Sequence, residues 1–294
     1  MEPVIATTLR QHFAPATAAA APRPARPAWL LAVLALAASL MLADTVSFAA
    51  ADAALDVHPE LDQGVLGEGR QAYRERRDPV RAHDAYRLFK QAYAEHPDDP
   101  AAAWHLSMAC YWLGLRVYTE PEQKKAAFAE GKETADRSLA LDPECGPCHL
   151  LSAVNHALWA EQVGIMRTIV GLGKVKAHLR RAAELDPAFA GAAAFRVQAA
   201  ILGRLPGMFG GGKSKARRTI EQAIAIAPNE PLNYEFLANM LVTQYQDVPR
   251  AVAVARRGLA VPEPGPEYVE SRDSIAYLKF FVDTFSTQVS SSKH

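Results

Sequence analysis

Apolar residues recur along most of this chain at steps of three and four, the pattern of helices with one buried face. In the stretch 213–244, Ala216, Ile220 and Ala223 share one helical face. Pro228 then ends the helix, because proline has no amide hydrogen and disfavours helical geometry in the residue before it. A second apolar stripe begins directly afterwards. The stretch therefore predicts two consecutive helices joined by a short turn.

The same unit recurs along the chain, and each copy has a proline at the corresponding turn. Small residues stand five and twelve positions before most of these prolines, where they would let neighbouring helices approach closely. The last two prolines are 34 residues apart, the length of a tetratricopeptide (TPR) repeat. The earlier spacings of 46, 44 and 41 residues require longer helices or loops. We therefore predict an all-α fold of TPR-like helix hairpins stacked into a solenoid; the alternative is an unrelated helical bundle. The aligned prolines are Pro97, Pro143, Pro187, Pro228 and, more weakly, Pro262.

Three segments are predicted. In residues 1–51 a positively charged leader precedes an uncharged apolar run, Trp29–Leu42, and small residues follow. This order is typical of a secretory signal peptide, and the run is short for a membrane span, which needs about 20 residues. The alternative is an uncleaved N-terminal membrane anchor. Either one places the repeat domain, 52–285, outside the cytoplasm, in the periplasm or cell envelope. Residues 286–294 are predicted to be a disordered tail.

The charge balance and the spacing of reactive residues argue against several classes of function. Acidic and basic residues balance at 32 each, which gives no reason to expect a nucleic-acid partner. No nucleophile, base and orienting group occurs at a recognisable spacing, so we predict no enzymatic activity. The nine histidines are scattered, which predicts no metal site.

Two segments of the chain match three known motifs, a phosphate loop, a redox dithiol and a haem-attachment site. Residues 207–214 satisfy the phosphate-loop pattern G-x-x-x-x-G-K-S, but that loop must follow a strand, whereas an alanine-rich helix precedes it here. We therefore predict a flexible turn.

Cys145 and Cys148 match the thioredoxin dithiol, also without its strand context, and in an oxidising compartment they would close as a short disulfide. With His149 they form the pattern for c-type haem attachment, so a c-type cytochrome with covalently bound haem is the main competing interpretation.

Aromatic and amide side chains at helical spacing predict a groove for a small apolar ligand. The alternative is that these stripes pack between helices. The candidate binding residues are Trp104, Met108, Tyr111, Asn155, Trp159, Phe195 and Tyr234.

Two stretches, 140–164 and 183–242, resemble the T component (TatT) associated with tripartite ATP-independent periplasmic (TRAP) transporters. In that family a Pro-Gly/Gly-Lys loop joins two long helices, as residues 204–216 do here. The likeness spans roughly 84–259. It implies a periplasmic helical protein that partners a solute-binding protein, and it is compatible with a homotrimer that has an apolar channel or groove. Microtubule-regulator-like proteins of eukaryotes have related repeats, but the predicted export argues against that branch.

The sequence departs from the T-component pattern in one respect, since no lipobox cysteine lies near the predicted export signal. Membrane attachment through the N-terminal apolar segment therefore stays open. The predicted function is an exported, non-enzymatic accessory of a TRAP-type system that needs no cofactor. A generic protein–protein adaptor of the cell envelope is a further alternative.

Overall fold

The computed structural model describes residues 63–291, including their side chains except at 165–169 and 287–291. This part is all-α, as predicted, and contains no strand. A π-helical turn, Leu113–Val117, extends the third helix, and a 3-10 turn, Gly207–Phe209, follows the seventh. The helices are α1 (Gly64–Arg74), α2 (Pro79–Glu95), α3 (Pro100–Trp112), α4 (Pro121–Leu141), α5 (Gly146–Val163), α6 (Ile165–Leu185), α7 (Phe189–Arg204), α8 (Lys213–Ile226), α9 (Pro231–Tyr245), α10 (Val248–Leu259) and α11 (Val269–Ser291).

Consecutive helices pair into hairpins, from α1 with α2 to α9 with α10, and α11 packs on the last hairpin. Each aligned proline follows an even-numbered helix, which confirms the repeat prediction. The small residues at the two fixed positions are buried. A Cβ atom on Gly131 would lie 2.7 Å from the side chain of Asn155, so this helix contact requires glycine. The buried set is Ala85, Ala92, Gly131, Ser138, Val175, Ala182, Ala216 and Ala223.

Several helix starts follow from local chemistry. Asp78 and Asp99 each accept a hydrogen bond from an amide of the first turn, at 2.8 Å in both cases. Glu230 and Asp247 do the same for α9 and α10. These side chains satisfy amides that have no partner within the helix. Proline stands in the first turn after each of these four caps, where its missing amide hydrogen costs nothing.

Odd-numbered and even-numbered helices differ in burial. Residues 102–112 of α3 are buried on every side of the helix, whereas α2 and α8 each bury one narrow stripe. The odd-numbered helices α3, α5, α7 and α9 also contact one another from hairpin to hairpin. They therefore form the inner row of the solenoid, and the even-numbered helices form the outer row.

The last helix returns to the first hairpin. After a turn with three prolines, α11 begins at Val269 and places Glu270 against Arg76, 194 residues earlier in the chain. It runs to Ser291, beyond the predicted boundary at 285. The glycine-containing segment 166–174 belongs to the first half of α6.

The predicted leader, 1–51, lies outside the described residues. Within the described part, no helix combines the length and the hydrophobicity that crossing a bilayer requires.

Candidate functional site

Four charged side chains, Arg76, Arg196, Glu230 and Glu270, lie between the inner row and the start of α11; we call them the central ion cluster. Arg76 Nη2 is 2.5 Å from Glu270 Oε2, and both side chains are 0 % exposed. The Arg76 guanidinium also stands 4.5 Å from the ring centre of Tyr73. Burying an ion pair removes both charges from water, and this loss of hydration costs free energy. The close pairing of the two charges and the contact with the aromatic ring offset part of that cost.

Arg196 is the second buried cation of this cluster. Its Nη1 donates to Asn233 Oδ1 at 2.6 Å and to the Gly191 carbonyl at 3.0 Å, and its Nη2 donates to the Ala190 carbonyl at 3.2 Å. The backbone at Ala190 and Ala192 has φ of 53° and 61°, a left-handed conformation that alanine rarely adopts. Arg196 therefore binds carbonyls of an unusual turn at the start of α7.

Two carboxylates lie near the start of α9: Glu230 of the central ion cluster, which caps the helix, and Glu235 within the helix. Glu230 accepts hydrogen bonds from the amide of Leu232 at 3.1 Å and from the Ser271 hydroxyl at 3.2 Å. Burial raises the pKa of Glu230, and the charge of Arg196 opposes that rise. Five residues further on, burial raises the pKa of Glu235 to about 7, and the nearby Ser274 hydroxyl and the charge of Arg116 oppose that rise. These partners come from α7, α9 and α11, so the cluster holds the inner row and α11 together.

Most of the predicted groove residues lie inside the helix packing. Trp104, Met108, Tyr111 and Tyr234 are at most 5 % exposed. Trp104 stacks on the ring of His105 with centroids 3.6 Å apart. The structure places these side chains between helices, where ligand contact would require helices to separate.

The other three predicted groove residues differ in environment. Asn155 is fully buried, and its amide nitrogen donates to the Ser107 carbonyl at 3.2 Å and the Ser107 hydroxyl at 3.1 Å. Trp159 and Phe195 are half-buried, and the Lys132 ammonium stands 5.8 Å from the Trp159 ring centre. Ligand binding by the seven residues stays a prediction.

The CxxCH motif lies at the start of α5, with Cys145 as the cap residue. Cys145 and Cys148 form a disulfide, the short link that we expected for this pair in an oxidising compartment. The Cys148 amide donates to Cys145 Sγ at 3.2 Å, and the Ser138 hydroxyl lies 3.1 Å from Cys148 Sγ. Two sulfurs bonded to each other offer no thiol for haem vinyl groups, so the cytochrome interpretation finds no support in this geometry.

His149, the third member of that motif, has contacts at both ring nitrogens. Its Nδ1 lies 2.8 Å from His178 Nδ1, and its Nε2 lies 2.9 Å from the Pro143 carbonyl. Burial and the neighbouring His149 lower the pKa of His178 to about 4. The described residues contain no group of three or more His, Cys, Asp or Glu side chains that could hold a metal ion.

The phosphate-loop match is a turn between α7 and α8, as predicted. Its lysine, Lys213, donates to the Gln244 carbonyl at 2.8 Å, and a helix precedes the glycines. A Cβ atom on Gly211 would lie 1.8 Å from the Leu205 carbonyl oxygen, so the turn requires glycine there. Met208 and Phe209 at its tip are 82 % and 46 % exposed.

A cleft that sequence reasoning missed lies between α6 and α7; we call it the α6–α7 cleft. Its volume is about 470 Å³. Four of its residues recur on one face of α6 at steps of three and four. This spacing is visible in the sequence, but it is equally typical of an ordinary solvent-exposed helix face. The lining residues are Gly173, Lys176, Ala177, Leu179, Arg180, Gln198, Ile201 and Leu202.

Two families match parts of the chain. Residues 149–260 match the TRAP transporter T-component, and residues 66–194 match regulator of microtubule dynamics protein 1-3. The T-component match runs from α5 to the end of α10 and contains the α6–α7 cleft and the exposed turn. No curated protein sequence matches the chain.

Solved structures share the architecture. A thermophilic TPR protein of Thermus thermophilus is 19 % identical, with a TM-score of 0.55 over 74 % of this chain and 100 % of its own. Yeast Tom70 aligns at 12 % identity over 88 % of this chain and 72 % of its own, with a TM-score of 0.30. The first likeness shows the fold, and the second carries no argument. The chain is thus a TPR-like helical-repeat protein that resembles the T component of TRAP transporters over residues 149–260.

Proposed function

We propose that this protein is an exported, non-enzymatic accessory of a TRAP-type solute transport system and that it binds the solute-binding protein of that system. The observation that carries the proposal is the T-component match over 149–260 on a TPR-like fold. Helical solenoids present extended surfaces on which other proteins dock. The homotrimer and the small apolar ligand implied by the family resemblance belong to the same proposal.

The exposed turn between α7 and α8 is the proposed docking point. Met208 and Phe209 expose large apolar side chains there, within the matched segment. Methionine and aromatic residues are enriched at the centres of protein interfaces. We therefore assign the turn to contact with the solute-binding protein.

The test uses the full chain purified from the envelope of its own host and the solute-binding protein of the host's TRAP transporter. We expect a specific complex by native mass spectrometry, with the protomer count showing whether three copies assemble. Replacing Met208 and Phe209 together by serine should weaken the complex at least tenfold, because both side chains would lose their apolar contacts.

The matched control is Val80→Ser, which removes another exposed apolar side chain from α2, outside the T-component match. It should leave the complex intact. No complex with the solute-binding protein would contradict the proposed function. A complex that survives the double serine variant would instead move the docking point elsewhere.

A further inference from the structure

We propose that the α6–α7 cleft binds an amphipathic carboxylate with a linear apolar chain, the chain lying on the cleft floor and the carboxylate contacting Lys176 and Arg180. This site is separate from the proposed protein-docking turn and from the groove residues predicted from the sequence. It is argued from the shape, the floor and the charges of the cleft.

The floor of the cleft is apolar. Leu179 and Ile201 are almost fully buried beneath it, and Leu202 lies beside them half-buried. On the α6 side, Gly173 and Ala177 carry little or no side chain, so they leave a furrow where larger residues would form a ridge. The volume of about 470 Å³ is within the usual range for small-molecule sites.

The α6 residues of the cleft run from Gly173 to Arg180 along one helical face. At about 1.5 Å of rise per residue, that length is roughly 10 Å. A linear acyl chain of medium length can extend along such a furrow.

The charges of the cleft favour an anion. Its lining contains two cations, Lys176 and Arg180, and no carboxylate. Among the described side chains, Lys176 has no ion pair, and Arg180 has only an exposed one, with Glu184 at 3.8 Å. An exposed pair at that distance contributes little and leaves Arg180 available.

Neighbouring cations of the same helix are engaged elsewhere. Lys174 lies 2.8 Å from Asp136, and Arg181 pairs with Glu144. The two available cations of this stretch therefore both border the cleft. The Gln198 amide nitrogen donates to the Leu179 carbonyl at 3.0 Å, which ties the two walls together at the floor.

The exposed turn borders this site at Lys176. A Cβ atom on Gly210 would lie 3.4 Å from Lys176 Nζ, so the ammonium group reaches the turn that follows Phe209. A carboxylate held by Lys176 and Arg180, which are both exposed, would therefore stand at the solvent-exposed rim of the cleft, with the acyl chain on the apolar floor. This orientation keeps the charged end hydrated while the chain is buried.

The experiment measures binding of decanoate and of decanol to the full chain by isothermal titration calorimetry. The two probes have the same chain length and differ in charge. We expect one decanoate per protomer and at least tenfold weaker binding of decanol. The double variant Lys176→Gln with Arg180→Gln should weaken decanoate at least tenfold and leave decanol unchanged.

Two further variants keep the test sharp. Arg218→Gln removes an exposed arginine of α8 that does not line the cleft, and it should leave decanoate binding unchanged. Ala177→Phe should block both probes, because its ring fills the furrow. Circular dichroism establishes that each variant is folded.

Equal affinity for decanoate and decanol would overturn the proposal, as would unchanged decanoate binding in the double glutamine variant. An equal loss in Arg218→Gln would show a general charge effect instead of a site. If Trp159→Ala abolished decanoate binding in a folded protein, the ligand would lie in the predicted groove and not in the cleft. The complex with the solute-binding protein is measured separately, so the two proposals can fail independently.

Discussion

The central ion cluster and the α6–α7 cleft both place cations beside apolar side chains, yet they differ in what surrounds the charge. In the cluster, Arg76 meets a carboxylate from a helix at the other end of the chain. In the cleft, Lys176 and Arg180 meet no carboxylate of the lining. Buried cations with partners fix the arrangement of helices, whereas exposed cations without close partners are available to something outside the chain. The first should therefore affect stability and the second binding.

Glu270→Ala should have the largest effect on stability. It removes the carboxylate that Arg76 binds and leaves that cation in a fully buried position. Breaking one side of a buried pair costs about 3–5 kcal/mol, measured here as the free energy of unfolding in urea.

Asp273→Ala, on the same helix, is the control for that variant. Asp273 pairs with Arg77 at the surface, where an ion pair contributes under about 1 kcal/mol. Equal losses in the two variants would mean that the buried pair has no special role.

Glu235→Gln should remove a pH dependence of stability. The folded-state pKa is raised from 4.5 to about 7, mainly by burial, so the folded protein holds this proton more tightly than the unfolded chain does. The wild type should therefore lose about 1–3 kcal/mol of stability from this group as pH rises from about 4.5 to above 7.

Urea unfolding at several pH values across that window measures the effect. The glutamine variant should show a flatter profile, since it cannot ionise, while Glu263→Gln at an exposed position keeps the wild-type profile. The prediction would be contradicted if the wild type became more stable between about pH 4.5 and pH 7 and Glu235→Gln removed that gain.

Replacing Cys145 and Cys148 together by serine should have a smaller effect. The disulfide closes a loop with a sequence separation of only three, and short loops restrict the unfolded chain least. We expect a loss of about 1–2 kcal/mol, visible as a lower melting temperature that reductant no longer changes. Failure of this variant to fold would show that the staple is essential to the turn between the second and third hairpins.

Replacing Lys176 and Arg180 together by glutamine should change stability least, by no more than about 0.5 kcal/mol, because both side chains are exposed. The same protein should lose its affinity for decanoate. A loss of stability above about 1 kcal/mol would remove the contrast between the cleft and the central ion cluster.

The repeat architecture could be predicted because its signals are local. Each aligned proline ends a hairpin, and small residues such as Ala85 and Ala216 are buried where two helices approach. The periodicity of Trp104, Met108 and Tyr111 correctly places them on helices. It does not show whether another helix covers that face, and in α3 every face is covered.

The central ion cluster could not be predicted from the sequence, because its charges pair across long separations. Arg76 and Glu270 stand 194 residues apart, and each looks locally like an ordinary surface residue near a turn. The cleft could not be predicted because its local pattern is a common one. One face of α6 has the spacing of an ordinary solvent-exposed face, at Gly173, Lys176, Ala177 and Arg180. Only the position of α7 makes this face one wall of a cleft.

The return of α11 to the first hairpin bears on how the molecule folds. An open array of repeats stabilises itself through contacts between neighbours, so its ends can fray while the middle persists. Here the Arg76–Glu270 contact joins residues 194 positions apart and ties the two ends to each other. We expect the ends to lose structure together in one cooperative transition. Such long-range closure raises the contact order, so the last step of folding should be slower than the formation of any single hairpin.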